Sequence, residues 1–325
     1  MKLTQTQIKK LITYAQSYKG IPYERGASAQ TKALFDCSSF IQHIFKHVGT
    51  TLPRSSILQA AEPQGVLLLP KKHKKIVYKK GDVIFMASDR GYYFDEVFAE
   101  RHLCIGHVGL YIGNGKIINA RKSAGGVVIE SLSELQKDIA YKTVAVRRYT
   151  EERPVYAVPP RSQYIAIHHH AWKDKSCGIV SVGMILSFYK KRVDLNVLLA
   201  QGLKLNAFKE PVGWIHQGLV RLAQLHKFQA KAYDWSKDSI EEAFLKLVSF
   251  LEEGPIIASI HKDFDPQNGG HLIVVTGYRD GLVYYNEPAS RKGEPLKRKI
   301  IKEKFITGWK RRMVALYIHP YYTKK

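Results

Sequence analysis

The sequence predicts an α+β fold in two tandem domains. Each is expected to pack a helix that opens on a cysteine against a small antiparallel sheet that carries a histidine. Three observations predict this. First, Cys37 and Cys177 each stand where an apolar stripe of helical spacing begins: Phe40, Ile41, Ile44, Phe45 and Val48 after one, Ile179, Val180, Val182, Met184, Ile185 and Phe188 after the other. Second, each cysteine is followed by a histidine that opens a strand-like run ending in a tight turn. These runs are His107 to Ile112 before Gly113-Asn114-Gly115, and His271 to Tyr278 before Arg279-Asp280-Gly281. Third, 325 residues suffice for two ordinary domains, and the proline-bearing stretch 151–162 separates 1–150 from 163–325 as a stiff linker.

Composition narrows the class. Hydrophobic residues make up 45% of the chain, enough for packed cores and against disorder. Three cysteines make no disulfide framework and leave at least one free thiol. The net charge of +23 is shared almost evenly between residues 1–150 and the remainder, so the whole surface attracts polyanions. The densest run, Lys71-Lys72-His73-Lys74-Lys75, reads as a solvated loop, and without a nucleic-acid-binding signature no nucleic acid is expected. No apolar run approaches the ~18 residues of a membrane span. Residues 1–10 lack the apolar core of a signal peptide, which makes cytoplasmic residence the default unless another route exports the chain.

In order, residues 3–18 read as an amphipathic helix striped by Leu3, Ile8, Leu11, Ile12 and Ala15, with Thr4 or Thr6 as cap. Gly20-Ile21-Pro22-Tyr23 ends it. A helix follows from Cys37 to Gly49, with Asp36 placed to cap its first turn. A thiol at a helix N-terminus feels the positive end of the macrodipole, which favours the thiolate. Lys80 to Met86 is a turn and a strand, and His107 to Ala120 a hairpin. A three-residue loop at 113–115 sets His107 opposite Arg121 and makes Asn119 its diagonal neighbour on the same face; a two-residue Asn114-Gly115 loop would flip Asn119 away. Cys104 reads as a packed core thiol.

Residues 10–150 resemble the NlpC family of bacterial cell-wall peptidases. The resemblance is carried by Gly20-Ile21-Pro22-Tyr23, Phe35-Asp36-Cys37-Ser38-Ser39, Leu52-Pro53-Arg54-Ser55-Ser56 with Gln59, Gly81-Asp82-Val83-Ile84-Phe85, and Gly106 to Gly115. It implies a papain-like fold and hydrolysis of peptidoglycan stem peptides between γ-D-glutamate and a diamino acid. It also implies Cys37 as nucleophile, His107 as general base, Asn119 as the residue that orients it, and Tyr23, Asp36, Ser38, Arg54 and Ser55 at the substrate site. Expected partners are muropeptides and anionic wall polymers.

In the second half, His168-His169-His170 alternates faces on an expected strand and lacks companion ligands, so no metal or other cofactor is expected. Trp214 to Leu225 and Ile240 to Leu251 read as helices, and Pro255 to Ile260 as a buried strand. A three-residue loop at 279–281 places Glu287 diagonal to His271, whereas a two-residue turn would present Asn286. Residues 163–320 resemble cysteine peptidases of the bacteriocin-leader-processing type, through Cys177-Gly178, Gly270 to Tyr278, and Asn286-Glu287-Pro288-Ala289. The resemblance implies a second papain-like domain with Cys177, His271 and Glu287 catalytic, or a peptide-binding module. Where that family has an oxyanion-supporting glutamine this chain has Ala171, which leaves His170 or a backbone N–H for the role.

Overall fold

The computed structural model describes residues 2–30, 33–70, 76–88 and 91–317. The basic run Lys71 to Lys75 lies outside them. The chain forms two compact units, Met1–Arg153 and Pro154–Lys325. No helix among the described residues is long and apolar enough to cross a membrane.

The first unit opens with helix α1 (Gln5–Gln16), shorter than the stripe implied because a Thr4–Gln7 capping box fixes its start. Helices α2 (Cys37–Lys46) and α3 (Ser56–Ala61) follow, then strands β1 (Val66–Leu68), β2 (Val83–Met86), β3 (His107–Gly113), β4 (Lys116–Arg121) and β5 (Gly126–Ser131), the short helix α4 (Leu132–Leu135) and β6 (Thr143–Arg148). The six strands form one sheet in the order β1-β6-β2-β3-β4-β5, with antiparallel neighbours. Helix α2 lies against β3 and β4, burying Phe40, Ile41, Ile44 and Phe45 completely. Ile84, Met86, Ile117 and Val146 pack with α4 in a separate cluster. Asp82 accepts two bonds of 2.8 Å from Arg148, a buried ion pair that ties β2 to the end of β6.

The second unit holds α5 (Gln163–Ala166), α6 (Cys177–Phe188), α7 (Leu195–Lys204), β7 (Phe208–Lys209), β8 (Gly213–Trp214), α8 (His216–Leu225), β9 (Gln229–Asp234), α9 (Ile240–Phe250), β10 (Ile256–His261), β11 (Gly270–Arg279), β12 (Leu282–Asn286), β13 (Lys297–Ile301), α10 (Lys302–Gly308) and β14 (Trp309–Tyr317). Its six-stranded antiparallel sheet runs β13-β12-β11-β10-β14-β9. Helix α6 is buried from Gly178 to Leu186 without a polar face, and so sits in the core between sheet and helices α7 and α8.

Three sequence expectations change here. Trp214 belongs to a two-residue strand paired with Phe208, and Ile215 is still extended as the N-cap, so the helix begins only at His216. His168, His169 and His170 are exposed and lead into a 3-10 turn instead of lying on a strand, and they join no cluster of metal-ligating side chains among the described residues. The expected spacer is docked over residues 154–158. Val155 bridges Gly277, Tyr156 N–H donates to the Thr276 carbonyl at 2.8 Å, and Val158 is buried in the second core. Its apolar residues cover β11 where Gly277 has no side chain; a Cβ there would meet the Pro154 carbonyl oxygen at 2.7 Å.

Candidate active sites

Cys37 is the first residue of α2. Asp36, the N-cap, accepts from Ser39 N–H at 2.8 Å, and its other oxygen accepts from Gly26 N–H at 3.0 Å. The backbone N–H of Val108, beside His107 on β3, lies close enough to the Cys37 sulfur to favour its anion, so the helix start and the strand start come together at the thiol. His107 is buried, and its Nε2 lies 2.8 Å from Asn119 Oδ1. Asn119 is held from behind: its Nδ2 donates to Glu130 at 2.9 Å, and Glu130 is gripped by Arg121 at 2.7 and 3.2 Å. An ionised carboxylate only accepts, so Asn119 must turn its amide nitrogen to Glu130 and its oxygen to His107. That assignment puts the neutral imidazole's proton on Nε2 and leaves Nδ1 as a lone-pair base. Tyr141 sets its ring edge-on to the imidazole at 5.2 Å.

The hairpin reaches this geometry by a route other than the expected loop. Its turn has two residues, Asn114 (φ +53) and Gly115 (φ +70), as in a type I′ turn. A bulge between Tyr111 and Gly113 then shifts the register, so that Leu110 pairs Ile118 in the strand body. The bulge undoes the flip that the short turn would impose, and Asn119 returns to the histidine face. Glu130 escaped the sequence reading because residues 126–131 carry no clean alternation. The signal was the same diagonal rule one strand further, since Asn119 pairs Val128.

The other residues expected at this site are engaged mostly with one another. Arg54 bonds both Asp36 oxygens (3.1 and 2.5 Å), Ser38 Oγ (2.8 Å) and the Ala27 carbonyl (2.6 Å). Ser38 also donates to Asp36, and Gln59 donates to the Ser38 carbonyl at 2.8 Å. Ser55 caps α3. The cluster thus braces the loop that carries Cys37. Tyr23 is half-buried near the site; burial and then the neighbouring Cys37 and Asp36 charges push its phenol above the ordinary value.

The helix start does not deliver a resting thiolate. Burial, then the Asp36 charge, pushes the Cys37 thiol up to about 11, against the N–H groups of Val108, Ser38 and Cys37 that favour the anion. Burial lowers His107 to about 4, against the bond to Asn119. Both groups are therefore neutral near pH 7. Cys104, expected in the core, is only half-buried, with its sulfur 3.7 Å from the Ser88 carbonyl.

In the second unit Cys177 opens α6, and it lines one cleft with His271 of β11, whose imidazole its sulfur favours in the charged form. His271 Nε2 lies 2.6 Å from Glu287 Oε1, which also accepts from Ala289 N–H at 2.8 Å. Asn286 turns away, donating to the Val158 carbonyl at 3.1 Å. The same device recurs: a two-residue turn at Asp280 (φ +52) and Gly281 (φ +76), with a bulge between Val275 and Gly277 that restores the Val275–Tyr285 pairing. Burial disfavours the charged imidazole, but the bonds to Cys177 and Glu287 outweigh it and raise His271 to about 10. Burial opposes Glu287 ionisation too, and the His271 bond overcomes it to hold the carboxyl below its ordinary value. Ala171 lies in the 3-10 turn before α6 and His170 is exposed. The N-cap Ser176 turns its hydroxyl to the Trp172 carbonyl (2.7 Å) and does not cap the helix. Cys177 and His271 line a cleft of about 670 Å³ walled by Phe208, Trp214 and Tyr233.

The family model described as NlpC/P60 family matches residues 20–148, and that described as Peptidase_C39 like family matches residues 155–314. The chain is similar to the probable endopeptidase p60 of Listeria innocua, 33% identical over 111 residues, 34% of this chain and 19% of that protein. It is also similar to the gamma-D-glutamyl-L-lysine dipeptidyl-peptidase of Bacillus subtilis, 33% identical over 137 residues, 42% of this chain and 38% of that protein. A crystal structure of a NlpC/P60 family protein from Bacillus cereus shares 29% identity at a TM-score of 0.34, covering 44% of this chain and 40% of that one. The chain thus spans well under half the length of these curated relatives. It joins a domain of the NlpC/P60 family to a domain of the Peptidase_C39 like family.

Proposed function

We propose that the first unit is a cysteine endopeptidase that hydrolyses peptidoglycan stem peptides at the γ-D-glutamyl–diamino acid bond. The observation that carries the chemistry is the ordered chain of bonds from Glu130 through Asn119 to His107, which leaves Nδ1 free as a base on the residue next to Val108, whose N–H favours the Cys37 anion. The substrate class is supported by the kinship with the dipeptidyl-peptidase of Bacillus subtilis. Because thiol and imidazole both rest neutral, His107 Nδ1 takes the Cys37 proton as sulfur attacks the amide carbon. The N–H groups at the start of α2 receive the developing oxyanion. His107 then protonates the leaving amine, the C–N bond breaks, and water activated by the same imidazole releases the acid product. The basic surface of the chain favours approach to anionic wall polymers.

The second unit is read as a separate peptide hydrolase built on Cys177, His271 and Glu287, a reading favoured by the 2.6 Å bond that holds the imidazole. Here the oxyanion falls to the N–H groups of the uncapped α6 start. Its competitor is a peptide-binding module that does not cut.

The test is a digest of defined muropeptides followed by mass spectrometry, with wild type, Cys37→Ala and Cys177→Ala in parallel. Cleavage after γ-D-glutamate that vanishes only in Cys37→Ala supports the assignment. Absence of cleavage by wild type refutes the wall-peptide substrate. A product lost only in Cys177→Ala makes the second unit an enzyme.

A further inference from the structure

We propose that the second unit carries an anion-binding subsite centred on Lys310, which takes a carboxylate of a peptide lying in the Cys177–His271 cleft. The inference rests on reading that cleft as a peptide site.

Strand β14 is built to place this lysine. Opposite β10, Ser259 pairs with Arg312 and Ile260 with Trp309, so Lys310 and Arg311 are looped out of the ladder. Arg311 takes φ +54, a conformation an arginine adopts only at a cost, and Trp309 Nε1 closes the loop by donating to the Arg312 carbonyl at 3.1 Å. The bulge turns Lys310 toward the head of β11. A Cβ placed on Gly270, the residue before His271, would lie 3.3 Å from Lys310 Nζ. Lys310 and His271 both line the cleft.

Its charge is unmatched. Among the described residues Lys310 makes no hydrogen bond or ion pair, whereas the other charges of the cleft are engaged. Lys175 is paired with Glu210 at 2.6 Å, Arg312 with Asp234 at 2.9 Å, and Asp174 with the Tyr164 hydroxyl. Burial, and then the Arg312 charge, pulls Lys310 below the ordinary lysine value, the behaviour of a cation that would gain from a counter-ion. Beyond Lys310 the wall stays basic. A second cavity of about 550 Å³ shares Lys310 and Arg312 with the cleft and adds His261 and Arg311, with no carboxylate in its lining. A peptide threading from Cys177 past Gly270 would meet these cations on one side of the scissile bond.

The test uses the full chain with Cys37→Ala, so that only the second site can cut. A hexapeptide library pairs Glu with Gln at each position and a free with an amidated C-terminus, and initial rates are read by mass spectrometry. The expected result is Cys177-dependent cleavage about tenfold faster for the carboxylate member of a pair, the effect of one partly buried charged contact. The preference should fall to parity in Lys310→Gln and return in Lys310→Arg. The pair that shows it tells whether the carboxylate belongs to a side chain or to the chain end. Cys177-dependent cleavage that ignores the carboxylate and Lys310→Gln overturns the subsite and leaves the peptidase reading standing. If nothing depends on Cys177, the peptidase reading fails instead. The same peptides, fluorescently labelled, are then titrated onto the Cys37→Ala, Cys177→Ala chain. A carboxylate preference lost in Lys310→Gln upholds the subsite, and equal binding overturns it.

Discussion

Replacing Glu130 by glutamine tests how the first imidazole is held. Glu130 gives one oxygen to Asn119 Nδ2 at 2.9 Å and both to Arg121 at 3.2 and 2.7 Å. Glutamine has a single oxygen, which the Arg121 cation claims, so its NH2 faces Asn119. Asn119 must then turn its own oxygen to position 130 and its NH2 to His107. An N–H opposite Nε2 drives the ring proton to Nδ1, and the base beside Cys37 is lost. The bias at stake is one hydrogen bond to a charged group, about 1.5–3 kcal/mol, or roughly ten- to a hundredfold in kcat. KM should hold, because no substrate contact changes. The Glu130 charge also raises His107 while the Arg121 charge lowers it. Removing the carboxylate drops the imidazole further, and because the neutral ring is the active form, the acid limb of kcat/KM moves to lower pH. The assay is a steady-state pH profile on a defined muropeptide, with thermal melting to show that the fold survives and Glu130→Asp to restore the acceptor. A Glu130→Gln chain within twofold of wild-type kcat, with its acid limb unmoved, would refute the reasoning.

With its thiol at about 11, Cys37 is ionised roughly one part in ten thousand at pH 7, so iodoacetamide should label it slowly and about tenfold faster per pH unit up to pH 10; a fast, pH-independent rate at pH 7 would contradict this. His107 titrates at 6.5 in the unfolded chain and about 4 in the fold, so its contribution is complete above pH 6.5 and lost as pH falls toward 4. The loss is about 3 kcal/mol, and denaturant titrations of His107→Gln should lack that slope. Gly109→Ala puts a Cβ 2.7 Å from Ile117 Cδ1 and 3.0 Å from Asn119 Cβ. The displaced amide should reduce muropeptide turnover on the order of a hundredfold, and an unchanged rate would show that the site tolerates the shift. In Glu287→Gln, NMR titration should find His271 well below its value of about 10; a curve still centred there would mean that Glu287 does not hold the charge.

Much of the site was legible because strand geometry is discrete. Side chains alternate strictly, so a histidine, a turn and a polar residue beyond it leave only two registers. Asn119 or its neighbour, and Glu287 or Asn286, were the only choices that sequence allowed. The route to the register was not legible. A bulge is a local response to tertiary packing, and nothing in Tyr111-Ile112-Gly113 or Val275-Thr276-Gly277 marks it beyond a glycine. The same reason hides the Lys310 bulge, a register shift opposite Ser259 and Ile260 of the neighbouring strand.

By itself the sequence determined the two Cys-led helices, the two His-led hairpins and the Asp36 cap, because periodicity, capping and turn chemistry are properties of neighbouring residues. Tertiary structure decided the ionisation of the two sites. Cys37 and Cys177 open helices alike, yet burial leaves His107 neutral against its bond to Asn119, whereas Cys177 and Glu287 together keep the equally buried His271 protonated. Burial and partner charge are set by what the rest of the chain brings within a few ångströms, and no local pattern records that.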